Sequence, residues 1–178
     1  IKGLELAIIG SNKTAKFFNR KYIVQKAISF DENKLIQTFE KFIKDGNSFV
    51  ILNVGDELLQ KISDLNRNVI LINSTNTSTY FRQNMCNNNL LHTTPSNAML
   101  YDGLIQFLIK RNWKEWLLIK GTNKEDEKIV TAIKRAAKRF GGKIVEEKTW
   151  DFNTDIRRKA QSEMPSFTQA KDHDVVLV

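Results

Sequence analysis

The chain has 178 residues, 41% hydrophobic and 27% charged, which suits one globular domain or pieces of two. No apolar run approaches the ~20 residues a spanning helix needs, so no direct membrane insertion is expected. The formal charge of +8 comes from 28 bases against 20 acids scattered along the chain. With no basic run interleaved with aromatics, it reads as a solvated surface, and no nucleic-acid partner is expected.

The N-terminal stretch IKGLELAIIG is already amphipathic and holds neither an initiator Met nor a signal peptide, so the chain is expected to be a processed or trimmed product. In DENKLIQTFEKFIKDG, Leu35, Ile36, Phe39, Phe42 and Ile43 fall at helical spacing, with Asp31 as N-cap and Gly46 just past the end. SFVILN follows as a strand, VGDELLQKISDL as a short helix and NVILIN as a second strand. PSNAMLYDGLIQFLIKRN predicts a helix, with Pro95 near its first turn and Ala98, Tyr101, Leu104, Ile105 and Leu108 on one face. EWLLIKG reads as a strand. KEDEKIVTAIKRAAKRFGG reads as a helix with acids in its first turn, bases in its last and glycine to stop it. KIVEE predicts a strand, DIRRKAQSEM a helix and DVVLV a strand.

Strands that alternate with helices, and that are continuous apolar runs, predict an α/β fold of open parallel sheets flanked by helices on both faces. Ligands of such sheets bind beyond the carboxyl ends of the strands. Three loops hold that place. NVGD, Asn53 to Asp56, follows one strand and opens a helix whose N-terminus favours an anion. The run Asn73 to Thr79 follows the next strand and contains five hydroxyl and two carboxamide side chains. GTNKED, from Gly121, stands in the same position in a later unit. The same residue types dominate ordinary loops, where they satisfy their own backbone, and Asp56 can equally serve the first turn of its own helix.

A search for catalytic motifs returns none. There is no G-x-G-x-x-G, no P-loop ending after Gly121 and no G-x-S-x-G elbow. His92 and His173 have no metal-ligand partner at helical spacing; His92 reads as a structural hydrogen-bonding residue and His173 as solvated. Cys86, the single cysteine, excludes an intramolecular disulfide and any multi-cysteine zinc site, and reads as a packed or partly exposed thiol. Trp113 and Trp116 flank a turn where aromatics pack, and the acids at 125–127 are accounted for by the helix dipole. No enzyme activity, metal or cofactor is expected.

The segment NNNLLHTTPSNAMLYDGLIQFLIKRNWKEWLLIKGTNKEDEKIVTAIKRAAKRFGGKIVEE resembles the centre of a type I periplasmic binding protein of the branched-chain amino acid and amide class. The shared pattern is a strand, PS before a long helix, a Trp-containing turn, a strand, and a helix ending in a Gly pair. RAAKRFGGKIVEEKTW, RRKAQSEMPSFTQAKDHDVVLV and MCNNNLLHTTPSNAML resemble in particular the branch of ABC-transporter substrate-binding proteins associated with PQQ-dependent alcohol oxidation. The similarity extends over nearly the whole chain and is strongest from Cys86 to Val178.

The resemblance implies two α/β lobes with a small polar ligand between them, residues 1–111 being part of lobe one and 112–178 the first part of lobe two, with a crossover near Asn112. It places the ligand against Asn53, Gly55 and Asp56, against Asn73, Ser74, Thr75, Asn76 and Thr77, and, from lobe two, against Gly121, Thr122 and Asn123. NVGD replaces the serine-rich first loop of the amino-acid binders, and Asp56 there would repel a ligand carboxylate, which sets an amino-acid ligand against a neutral alcohol, polyol or amide-like one. The implied function is the periplasmic solute-binding component of an ABC importer, partnered with a permease; the alternative is a ligand-sensing regulatory domain of the same fold. Family members are roughly twice as long and their lobes are completed by returning chain. Both sheets here should lack members, the family's first strand among them, and this chain is expected to self-associate through uncovered apolar surface.

Overall fold

The computed structural model describes every residue except 1, 66–67, 86, 151–164, 166 and 170. In chain order the elements are α1 (Lys2–Ala15), a 3-10 turn (Lys16–Phe18), α2 (Glu32–Lys44), β1 (Phe49–Leu52), α3 (Asp56–Leu65), β2 (Ile70–Asn73), α4 (Tyr80–Gln83) and β3 (Leu90–His92). Then come α5 (Asn97–Lys110), β4 (Glu115–Lys120), α6 (Lys124–Phe140), β5 (Lys143–Thr149) and β6 (Val175–Leu177). The strands form two parallel three-stranded sheets, ordered β1-β2-β3 and β5-β4-β6. The sequence reading named neither α1, the 3-10 turn nor the single turn α4, and it met β3 only as the strand before PS in the family pattern. The helix expected at DIRRKAQSEM and the thiol of Cys86 lie outside the described residues.

The first sheet is covered on one face. Leu52, Val69, Leu71 and Leu90 pack there against Phe39 of α2, Leu58, Leu59 and Ile62 of α3, and Phe81 of α4. α2 takes this role because Leu35, Ile36, Phe39 and Ile43 share one stripe, and it starts where the Asp31 carboxylate accepts from Asn33 N and Lys34 N. The other face runs through the register row Ile51–Ile72–Leu91. Phe49, Ile51 and Leu91 on that face are 67%, 48% and 52% exposed, so the expected covering of both faces is not met in this sheet.

The second sheet is covered on both. The four consecutive residues Trp116 to Ile119 of β4 are all buried. Trp116 and Leu118 face α5 and α6, through Ile105, Leu108, Val130, Ile133, Ala136 and Ala137; Leu117 and Ile119 meet Trp150 and Phe167 on the other side. At the start of the sheet the Asp174 carboxylate accepts from both Lys114 N and Glu115 N, fixing β6 beside β4.

α5 packs with the second core. α5 buries Ile105 and Leu108 in the second core, and Asp102 on its surface pairs with Arg135 and Arg139 of α6 at 2.6 and 3.0 Å. The helix therefore belongs with the second sheet, and the chain passes between units at 93–96, before the Ser96 side chain caps α5 by accepting from Met99 N. Asn112 adopts a left-handed conformation (φ 64°) just past the end of α5.

Candidate functional site

The loops after β1 and β2 form one hydrogen-bonded assembly at the carboxyl end of the first sheet. Its centre is Asn73, 1% exposed. The Asn73 side-chain amide donates to Asn76 O at 2.7 Å and lies 2.9 Å from His92 Nδ1, while its Oδ1 accepts from Asn76 N and Thr75 N at 2.8 and 3.3 Å. Every donor and acceptor of that carboxamide is engaged, which is what permits its burial. Because Asn73 supplies the hydrogen, His92 Nδ1 is the acceptor and its proton sits on Nε2. Burial lowers the pKa of His92, the charge of Arg82 lowers it further, and a backbone hydrogen bond with Phe81 acts weakly the other way.

Around this centre the two loops lock together. Ser74 returns to the first strand, its N–H and its hydroxyl both donating to Leu52 O. The Thr75 hydroxyl donates to Asn53 Oδ1 at 2.8 Å, and both residues are exposed at the lip. Asn76 Nδ2 donates to Asp56 Oδ1 at 2.7 Å, while Asn76 Oδ1 accepts from Ser78 N. Thr77 O accepts from Asn97 N at the first turn of α5. Gly55 is exposed beside Asp56 and its carbonyl accepts from Leu59 N in α3. Of the residues expected to form the site, the structure thus brings Asn53, Gly55, Asp56 and 73–77 to one place.

The third loop stands differently. The Asn123 side chain accepts from Asp126 N at 2.9 Å and the Asp126 carboxylate accepts in turn from Asn123 N, a capping box that commits the Asn123 side chain to α6. Thr122 is exposed and Gly121 half-buried. A residue of the second unit that reaches the first is Lys128, whose Nζ lies 2.7 Å from Asp56 Oδ2 and 2.6 Å from Glu125 Oε1. Sequence reasoning missed it, although a base in the second turn of a helix opposes the macrodipole and could have been noticed on that ground.

Lys128 changes the electrostatics inferred for Asp56. Burial pushes the Asp56 carboxyl up, but hydrogen bonds from Lys128 and Asn76, the Lys128 charge and a hydrogen bond from Ser78 outweigh it, and the pKa falls below the usual range. Burial lowers the pKa of Lys128, and the same partners, Asp56 and Glu125, raise it to a net increase. Asp56 is therefore an ionised, compensated carboxylate, and its presence does not argue against an anionic ligand. Among the described residues no three His, Cys, Asp or Glu gather as a metal site. What the lip offers is exposed neutral donors and acceptors, Asn53 and Thr75, on a floor whose own groups are satisfied.

No protein-family model matches the chain, and no curated protein is detectably similar to it. Solved structures are similar in fold. The ABC transporter substrate-binding protein of Desulfitobacterium hafniense, in complex with Leu, superposes with a TM-score of 0.71 at 15% identity, over 93% of this chain and 50% of that one. A branched-chain amino acid ABC transporter periplasmic ligand-binding protein of Burkholderia xenovorans LB400 gives 0.67 at 13% identity, over 84% and 48%. An ABC transporter solute-binding protein of R. palustris in complex with benzoate gives 0.57 at 18% identity, over 82% and 40%. The chain has the type I periplasmic-binding-protein-like fold, and it spans half or less of the length of these three proteins.

Proposed function

We propose that the chain carries part of the ligand cleft of an extracytoplasmic solute-binding protein serving an ABC importer. The carrying observation is the joined loop assembly at the carboxyl ends of β1 and β2, facing the second unit through Lys128. In an open α/β sheet that is where ligands bind, and the solved proteins that share the fold bind benzoate or Leu. In this reading residues 1–96 are the first lobe and 97–178 the beginning of the second. Asn53, Gly55, Thr75 and Thr77 border the ligand; Asn73, Ser74 and Asn76 build the loops; Gly121, Thr122 and Asn123 line the opposite side. The chemistry is binding only, the compartment is the periplasm, and the partner is a permease that reads the lobe-closed state. The finer placement, beside PQQ-dependent alcohol oxidation, rests on the motifs between Cys86 and Val178.

The test separates lip from floor. Calorimetric screening of small carboxylates, amino acids, alcohols and polyols against the longest secreted form of the protein should return a ligand. Thr75→Ala should then weaken it by about 0.5–1.5 kcal/mol, the contribution of one hydrogen bond, with thermal stability unchanged. Unaltered affinity in Thr75→Ala would remove that loop from the site.

A further inference from the structure

We infer that Asp56 and Lys128 form a latch that holds the two units together when no ligand lies between them. Asp56 opens α3 in the first unit, and Lys128 lies in α6 of the second, 72 residues away in sequence. Their charged atoms are 2.7 Å apart. Each partner is oriented from its own side before the other arrives. Asn76, itself fixed by Asn73 Oδ1 and Ser78 N, holds one oxygen of the Asp56 carboxylate and leaves the second for Lys128. Glu125, one turn back on α6, accepts a second hydrogen bond from the Lys128 ammonium at 2.6 Å.

Placement gives the pair its consequence. The units are joined covalently through 93–96, where Asn97 N donates to Thr77 O and Ala98 N to Thr79 Oγ1. The ion pair ties α3 to α6, elements on either side of that connection. Side-chain exposures of 34% for Lys128 and 36% for Asp56 leave the pair partly desolvated, so salt screens it less than an open surface pair. A contact of this kind is modest, and it biases the two-body equilibrium without locking it. Opening remains accessible, but the resting population favours the latched arrangement.

The inference rests on the packing of two units and on no ligand. Spin labels at Gln60→Cys on α3 and Lys138→Cys on α6, in a Cys86→Ser background, report the separation of the units by pulsed EPR in ligand-free protein. Lys128→Gln and Asp56→Asn should each shift the distance distribution to longer and broader values. Asp56→Lys combined with Lys128→Asp should return the distribution toward the parent. Circular dichroism establishes that each variant is folded. An unchanged distribution in either single variant, or a swap as broad as the singles, overturns the latch. Because no ligand is present, such a failure leaves the solute-binding proposal untouched, and a failure to find a ligand leaves the latch untouched.

Discussion

Asn73 shows how much one carboxamide can organise. It ends a strand, yet its side chain determines the path of the four residues after it, with bonds to the backbone of Thr75 and Asn76 and to His92. Asn73→Ala would leave the backbone N–H and C=O of Asn76 without this partner in a buried place, at a cost of about 2–3 kcal/mol. Thermal or urea unfolding would register that loss, and amide exchange of residues 74–78 should rise with it. His92 adds a pH dependence. Its pKa is lowered in the folded chain by burial and by Arg82, so the unfolded chain binds more protons. Stability should therefore fall as pH drops below the ordinary histidine value of ~6.5, until the pH passes the folded pKa. His92→Gln, which keeps an acceptor for Asn73 but cannot titrate, should flatten the melting-temperature profile in that window. An unchanged slope would assign the titration elsewhere. None of this is visible in INSTNTS as a string. A sequence shows that Asn73 can bond its neighbours, but not that His92, 19 positions on, completes the set.

The elements were legible in proportion to their length and periodicity. α6 was read closely because three early acids, the late bases and the terminal Gly141 (φ 80°) all agree, while Asn123, read as a ligand residue, turns out to cap the helix. β3 was legible only through the family pattern, as the strand before PS, because it has just three residues between polar flanks. α5 was read correctly as a helix, but its buried stripe identifies a face that must be covered, not the partner that covers it, which is the second core. The turn between α6 and β5 offers a sharp test. A Cβ on Gly142 would stand 1.8 Å from the Trp116 indole, which is fully buried and donates its Nε1–H to Trp113 O. Gly142→Ala should destabilise by about 2 kcal/mol or more, since neither the ring nor the turn can yield freely. A melting temperature within a degree of the parent would show that the turn relaxes.

For the whole molecule, the α/β class with parallel sheets was the firmest reading from sequence, and the fold agrees with it. The uncovered face of the first sheet was harder to foresee, since an apolar strand looks alike whether one or both faces are covered. Phe49, Ile51 and Leu91 on that face, with Phe17, Phe18, Ile23, Ile28 and Phe30 in the exposed N-terminal stretch, amount to more apolar surface than a monomer readily leaves in water. The 178-residue chain is expected to elute as a dimer or larger species in light-scattering chromatography. Ile51→Lys should shift it toward the monomer, and a parent already monomeric at tens of micromolar would contradict the expectation.

The two ion pairs from Asp102 to Arg135 and Arg139 have a mechanical meaning as well. They add two tethers along α6 to the buried packing of Ile105 and Leu108 against it, which favours movement of the two helices together. Seventeen residues make α6 about 25 Å long, and a tilt of about ten degrees at 93–96 would sweep its far end by about 4 Å. Joined helices of that length would turn small rotations at four connecting residues into larger displacements at a distance.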